Sequence, residues 1–305
     1  MTLRTWATVA MFAIASLWSS VVEAQKLYAA SVRTIADGGA GSVGGSLYTV
    51  ALATGSAEFV APIRLNGSSP LGITGLAVHP DSGMFYGITS PLSRSNPLSL
   101  VTIDPATGNA TMIGSLRRVA SDISFTRAGI LFAWLPETSQ LGVVNIETGG
   151  VTPIGPPGPP GPPAGLAIDS TGVAYITPKG AIGTLDTVEI ATGLIKPGPP
   201  LVGAPFDSAV NSMTFTPSGL LLAVNSNAGA PAATRLVTIN VGTGAVSNIG
   251  TLPDDTDGIA FANLPARESA APTDWRSIAL MTLGAIALVL GLIGWAVGRR
   301  PKTPL

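Results

Sequence analysis

The chain has 305 residues, a formal net charge of −1, a single histidine and no cysteine. With 46% hydrophobic and only 11% charged residues, it has ample apolar surface to bury, which excludes a disordered polyelectrolyte, and it is not basic enough to predict nucleic-acid binding. The lack of cysteine excludes disulfides, thiol nucleophiles and thiolate zinc sites, and one histidine excludes a multi-histidine metal centre.

Residues 1–24 predict a secretory signal peptide. Arg4 lies near the start, an apolar run covers residues 6–18, and Val22-Glu23-Ala24 forms a small-residue cleavage site. An uncleaved anchor is the alternative. Either reading predicts that the following domain is exported.

Residues 25–265 contain a module that returns five times, a pattern typical of a β-propeller. In each module a first strand ends at a turn glycine, a second apolar strand follows, and after a variable gap a third strand closes on Thr-Gly before a fourth. Thr-Gly supplies the positive φ that a tight hairpin needs. The first strands are predicted within 75–83, 122–129, 165–172 and 212–219, the second at 84–89, 130–134, 173–177 and 220–225, and the third within 46–55, 99–108, 141–149, 184–193 and 235–244.

The two ends of the module each lack a partner. Residues 258–261 repeat the first strand with no second strand after them, and residues 26–30 match a second strand with no first strand before them. We therefore predict that they pair and close the ring, which leaves no long open sheet edge. The predicted fold is an all-β, five-bladed propeller closed by its N- and C-terminal strands.

Three gaps between strands are predicted to be loops. The segments 90–98 and 228–234 are rich in Ser, Pro or Ala. The segment 155–163, GPPGPPGPP, has three collagen-like triplets, too few for a triple helix, and predicts a stiff polyproline II loop. Recognition of this loop by a proline-binding partner is the alternative.

The last 40 residues predict a membrane attachment. Residues 266–277 form a linker with a sorting motif, residues 278–297 are uncharged and long enough to span a bilayer as a helix, and residues 298–305 form a basic tail. The positive-inside rule leaves this tail in the cytoplasm and the propeller outside it. The sequence therefore predicts a domain displayed at a cell membrane or cell surface.

The C-terminal segment resembles the sorting tails of bacterial exosortase substrates of the IPTL-CTERM type. The resemblance rests on a short motif and nearby Trp, the apolar helix and the basic cluster, here Pro272, Thr273, Trp275, Arg299 and Arg300. Ala271 replaces the usual Ile, and Asp274 alone separates Thr from Trp. The resemblance implies processing by a sorting protease and surface display, with plain membrane anchoring as the alternative. The repeats resemble those of bacterial surface propellers, which implies a fold but no activity.

A candidate site comes from aligning the two positions immediately before each first strand. In a propeller the first strand lines the central channel, so these residues should surround one mouth of it. The polar candidates are Thr74, Ser121, Asp122, Asn211, Ser212 and Asp257. Of these, Asp122, Asn211 and Asp257 carry the oxygen ligands that Ca²⁺ prefers. The alternative is that small polar residues cap strand starts and hold channel waters.

Catalytic motifs are scarce in the sequence. His79 lies in HPDSG, where it is predicted to be a turn residue, and no GxSxG elbow accompanies it. The leading hypothesis is a non-catalytic module that needs no cofactor and binds an extracellular protein or glycan. The alternative is a calcium-dependent, lactonase-like hydrolase at the channel mouth, an idea based on fold analogy alone.

Overall fold

The computed structural model describes residues 25–32, 44–91, 93, 96–177, 183–203, 209–227 and 233–263. The predicted signal peptide, the linker, the sorting motif, the apolar segment 278–297 and the basic tail lie outside the described residues. Within the described ranges, no helix has the length and apolar character needed to cross a membrane.

The described chain forms five sheets that correspond to five blades. Blade 1 consists of β1 (Gln25–Ser31), β2 (Ser46–Val50), β3 (Ala57–Pro62) and the last strand, β22 (Thr256–Asn263). The short strands β4 (Arg64–Leu65) and β5 (Ser69–Pro70) extend the outer edge of blade 2, which contains β6 (Ile73–Val78), β7 (Phe85–Thr89), β8 (Ser99–Ile103) and β9 (Asn109–Ser115). The strands of the five sheets pair antiparallel except for the short parallel pair β4–β9.

The remaining three blades repeat this order along the chain. Blade 3 contains β10 (Ile123–Phe125), β11 (Leu131–Leu135), β12 (Gln140–Val144) and β13 (Val151–Ile154). Blade 4 contains β14 (Leu166–Ile168), β15 (Ala174–Ile176), β16 (Asp186–Val188) and β17 (Ile195–Lys196). Blade 5 contains β18 (Ala209–Phe215), β19 (Leu221–Asn227), β20 (Ala233–Ile239) and β21 (Val246–Leu252). The inner strands β22, β6, β10, β14 and β18 contact one another around the centre.

The predicted closure by the two ends of the domain is confirmed. β22 pairs with β1 in antiparallel register from Gln25–Asn263 to Ser31–Thr256, so the final strand is the inner strand of blade 1. One predicted loop is too long, because β19 continues to Asn227 and its backbone pairs with Ala233. The end of the predicted loop 228–234 is therefore part of β20.

The apolar residues are buried between neighbouring blades. Tyr28 of blade 1 meets Phe85 of blade 2 edge to face, with ring centroids 4.8 Å apart, in one such cluster. Leu27 and Ile259 of blade 1 pack with Leu222 of blade 5 in another. Each fully buried side chain of this size contributes about 1.5–3 kcal/mol. The core is thus a series of layers between blades, and no blade can bury its faces alone.

The Thr-Gly turns also join the blades. Their glycines have φ between 68° and 77°, as predicted for these hairpins. A Cβ atom added to any of them would come within 3.0 Å of the backbone of the preceding blade. The contacts pair Gly55 with Gly250, Gly108 with Pro62, Gly149 with Gly114, Gly193 with Ile154, and Gly244 with Pro200. The repeated glycine therefore satisfies both a turn conformation and a close approach.

The close approach can be separated from the turn conformation by substitution. Gly149→Ala and Gly172→Ala both place a side chain at positive φ, but only at Gly149 would the Cβ meet a neighbouring blade. We expect Gly172→Ala to lower the free energy of unfolding by about 1–2 kcal/mol. Gly149→Ala should lower the free energy of unfolding by at least about 1 kcal/mol more than Gly172→Ala does, because the backbone of Gly114 must move. Denaturant unfolding measures the free energy of both variants. Equal losses would contradict the prediction, because they would show that the contact with the neighbouring blade adds no cost.

Candidate functional site

The inner strands come closest together at five positions that we call the hub residues: Gly75, Asp122, Gly165, Ser212 and Gly258. At the three glycines, a Cβ atom would meet the next blade, at 3.0 Å from the Cα of Asp122 for Gly75 and 3.1 Å from the Cβ of Leu76 for Gly258. Three of the five hub positions thus have no room for a side chain. Asp122 and Ser212 supply the side-chain polar groups of the hub.

Asp122 joins three blades through its carboxyl group. Its Oδ1 accepts hydrogen bonds from the backbone N–H of Ile123 at 2.9 Å and from the hydroxyl of Ser212 at 3.0 Å. Its Oδ2 accepts from the backbone N–H of Leu166 at 2.8 Å and of Met213 at 3.0 Å. These donors belong to blades 3, 4 and 5, so one side chain connects the centres of all three.

Ser212 extends this network to a fourth blade. While its hydroxyl donates to Asp122, its Oγ accepts a hydrogen bond from the backbone N–H of Ile259 in blade 1 at 3.1 Å. Both side chains are 0% exposed. The network therefore spans the ring from blade 3 to the blade that contains both chain ends.

The environment of Asp122 suits a structural acceptor. Burial raises the pKa of its carboxyl well above the usual range, and the hydrogen bonds from Leu166, Met213, Ile123 and Ser212 partly oppose that rise. A carboxylate has about four acceptor positions. All of them receive donors here, which leaves none for a metal ion, and the buried carboxyl does not face an open channel mouth.

Thr74 and Ser121, two other predicted residues, each donate a hydrogen bond to a backbone carbonyl. The Thr74 hydroxyl donates to the carbonyl of Ile88 in its own blade at 3.5 Å. Ser121 donates to the carbonyl of Ala164 in the next blade at 2.7 Å. These two hydroxyls thus satisfy backbone groups.

Asn211 and Asp257 are the two predicted ligands that do come together. Asn211 donates to the Ser226 hydroxyl at 2.9 Å and also hydrogen bonds to Asp257. Burial and the negative charge of Asp255 raise the pKa of Asp257 from 3.8 to about 7, although the hydrogen bond from Asn211 lowers it. Among the described residues, no group of three or more His, Cys, Asp or Glu side chains could hold a metal ion.

An open funnel lies at the opposite end of the inner strands. Its wall contains the residue three positions after each hub residue, namely Val78, Phe125, Ile168, Phe215 and Phe261. An inner cavity of about 140 Å³ and an outer cavity of about 240 Å³ share this wall. The sequence pattern contains a signal for the funnel, because DISF, SMTF and GIAF each place a Phe three positions after the hub residue.

Aromatic contacts hold the phenylalanines of the funnel in place. Phe125 lies edge to face with Tyr86 at 5.3 Å and with His79 at 5.0 Å, and Phe215 meets Tyr175 at 5.5 Å. Such pairs add about 0.5–1.5 kcal/mol beyond the burial of their area. Phe125 and Phe215, two of the three phenylalanines of the wall, are therefore supported by aromatic neighbours.

His79 on the funnel rim is a turn residue, as its sequence context predicts. Its Nδ1 accepts hydrogen bonds from the backbone N–H of Asp81 and Ser82, both at 3.3 Å. A catalytic triad needs this nitrogen to donate to a carboxylate. The turn uses it instead as an acceptor.

Asp169 and Arg127 bring opposite charges to the rim. Burial would raise the pKa of Asp169, but hydrogen bonds from the Thr171 hydroxyl and from the N–H groups of Val173 and Thr171 outweigh it and lower that pKa. Asp169 is therefore charged at neutral pH. Arg127 is exposed and also lines the outer cavity.

Removal of the Asp122 carboxyl should be costly. Asp122→Ala leaves three backbone N–H groups and the Ser212 hydroxyl without this acceptor, so we expect a loss of at least about 3 kcal/mol in unfolding free energy. Ser212→Ala removes two hydrogen bonds and should lose about 1–3 kcal/mol. Urea unfolding gives the free energy of unfolding of both variants. The control Asp81→Ala changes an exposed residue, and its free energy of unfolding should stay within about 0.5 kcal/mol of wild type. A neutral Asp122→Ala variant would contradict the role of the network.

Asp257 should make stability depend on pH. Its pKa in the folded state, about 7, lies above its ordinary value of 3.8, so the folded state binds the proton more tightly. Stability should therefore fall as pH rises from about 4 to about 7. Asp257→Asn should make this decrease in stability smaller. Part of the decrease should remain, because the pKa of Asp122 is also raised in the folded state. Unfolding free energies at about pH 4.5 and about pH 7.5 test this; an unchanged difference would contradict it.

Comparisons with known proteins found similarities to solved structures only. No protein-family model matches the chain, and no curated protein is detectably similar to it in sequence. A chain in the crystal structure of a nidogen/laminin complex is similar at 13% identity and a TM-score of 0.49, covering 78% of this chain and 98% of that one. A structural genomics protein of unknown function from Bacteroides thetaiotaomicron VPI-5482 is similar at 13% identity and a TM-score of 0.42, over 59% of this chain and 50% of that one.

Proposed function

We propose that the protein is an exported propeller, anchored in a membrane or sorted to the cell surface, that binds an extracellular protein or glycan without catalysis. The observation that carries the binding function is the funnel, which combines an aromatic wall with a charged rim at the end of a closed ring. The export and anchoring parts of the proposal rest on the sequence patterns in residues 1–24 and 266–305.

The size of the funnel favours one kind of ligand. Sites for drug-sized molecules usually measure about 300–1,000 Å³. The outer cavity is about 240 Å³, enough for a group the size of one sugar ring or one side chain. We infer that the funnel receives a protruding group from a larger partner and does not enclose a whole small molecule.

The funnel lining suits such a group chemically. Phe125, Phe215 and Phe261 offer apolar surface, and Arg127 and Asp169 offer a donor and an acceptor at the rim. Recognition sites commonly combine apolar walls with a few placed polar groups that fix orientation. Aromatic pairs already support Phe125 and Phe215, and turn hydrogen bonds support Asp169, so these three side chains lose little entropy on binding.

No contact in the described ranges favours the alternative of a calcium-dependent hydrolase. Its central residue, Asp122, has every acceptor position filled by protein donors. Asn211 and Asp257 supply fewer oxygens than the six to eight that Ca²⁺ takes. A binding module is therefore the function that we propose.

A substitution that fills the funnel tests the proposal. Ser170 is exposed in the lining of the outer cavity, so Ser170→Trp should occlude it. Ser247, on the exposed side of β21, provides the matched control Ser247→Trp. The full chain in detergent, fluorescently labelled, is applied to an array of glycans and matrix proteins. Spots bound by wild type should weaken at least about tenfold with Ser170→Trp, a loss of about 1.4 kcal/mol.

The control and the unfolding midpoints decide the interpretation. Ser247→Trp should keep the wild-type pattern, and both variants should unfold at the wild-type denaturant concentration. Full retention of every spot by Ser170→Trp, or an array with no bound spot, would contradict binding at the funnel.

A further inference from the structure

A ridge of six prolines connects β13 to β14 at the Asp122 end of the ring, away from the funnel. We call it the proline ridge: Pro156, Pro157, Pro159, Pro160, Pro162 and Pro163. All six are exposed, whereas Gly158 and Gly161 between them are half-buried. The segment thus presents its rings outward and its glycines toward the protein.

The ridge is held by hydrogen bonds from its backbone. The N–H of Gly158 donates to the Thr138 carbonyl at 2.7 Å, and the N–H of Gly161 donates to the Pro136 carbonyl at 2.8 Å. The Ser139 hydroxyl donates to the carbonyl of Pro159 at 2.7 Å. Every one of these bonds uses backbone atoms of the ridge, so none of them occupies a proline ring.

The spacing of the glycines follows from the geometry of the chain. A polyproline II helix has three residues per turn, so every third residue lies on the same face. A Cβ atom at Gly158 would lie 3.3 Å from the Cβ of Ser139, and one at Gly161 would lie 3.2 Å from its hydroxyl. The face against the β11–β12 turn therefore favours glycine, since a larger residue would need Ser139 to shift, and the other two faces are proline.

We propose that the proline ridge is a docking surface for a protein domain that binds polyproline II segments in a groove lined by aromatic side chains. Such grooves recognise P-x-x-P, and the ridge contains that spacing four times, at 156 and 159, 157 and 160, 159 and 162, and 160 and 163. The ridge is uncharged and exposed, and it is already ordered, so docking does not pay the cost of folding a flexible peptide.

A WW domain with a known aromatic groove serves as the probe. Fluorescein-labelled WW domain is titrated with the full chain in detergent, and fluorescence anisotropy reports complex formation. Pro159→Ala combined with Pro160→Ala removes one member of all four P-x-x-P pairs while the backbone carbonyl at 159 remains for Ser139. We expect a saturable rise with wild type and at least about a tenfold weaker response with the double variant.

Matched controls separate the ridge from general surface effects. Pro97→Ala with Pro217→Ala removes two exposed prolines elsewhere and should bind as wild type does. Ser170→Trp should also bind the WW domain normally, so failure of the ridge and failure of the funnel are distinguishable. A synthetic peptide of residues 154–164 should compete with the full chain, which keeps the proposal testable if the double variant does not fold.

Three results would overturn the proposal. The first is the absence of a saturable anisotropy change when the wild-type chain is added up to about 1 mM, a Kd that corresponds to a binding free energy of about −4 kcal/mol. The second is equal binding by wild type and the double proline variant. The third is a wild-type dimer in sedimentation that the double variant abolishes while neither binds the WW domain, which would assign the ridge to a second copy of the chain.

Discussion

The carboxyl group of Asp122 is the acceptor on which the centre of this ring depends. In any propeller the inner strand of each blade is a sheet edge, with backbone N–H groups that lack a strand partner. Here the residues immediately after four of the five hub positions donate those N–H groups to two side chains. Ile123, Leu166 and Met213 donate to Asp122, and Ile259 donates to Ser212. Two buried oxygen-bearing side chains thus satisfy one edge donor in each of four blades.

The same constraint explains the glycines around Asp122. Five inner strands meet in a small space, and a Cβ atom at Gly75, Gly165 or Gly258 would press into the next blade. At the outer side, the Thr-Gly turns repeat this arrangement, each against the blade before it. With no cysteine in the chain, these contacts and the apolar layers hold the ring together. The strand pair β1–β22 then closes it.

This arrangement gives the two ends of the ring different properties. At the hub end the polar groups are used within the protein, in the Asp122 network, the Ser121 link and the Asn211–Asp257 pair. At the other end, aromatic and aliphatic residues surround an open space. The polar side chains of the hub thus serve the fold, whereas the funnel leaves side chains open to a ligand.

The fold was predictable because its signals are local and repeated. The turn glycines, the Thr-Gly turns and the incomplete modules at both ends specified strand order and ring closure, since each depends on backbone geometry within a few residues. The start of β20 was missed because the strand pairing of Asn227 with Ala233 extends a ladder that composition does not reveal.

The sequence alone determined that five similar blades close into a ring and that Asp122 and Ser212 stand where other blades have glycine. Only the tertiary structure decided what these residues do, because hydrogen-bond partners 44 and 91 positions away from Asp122 come together only at the ring centre. It shows Asp122, which was predicted at the channel mouth, as a buried hydrogen-bond acceptor. It also assembled the funnel from phenylalanines on three separate blades, a grouping that no single stretch of the chain contains.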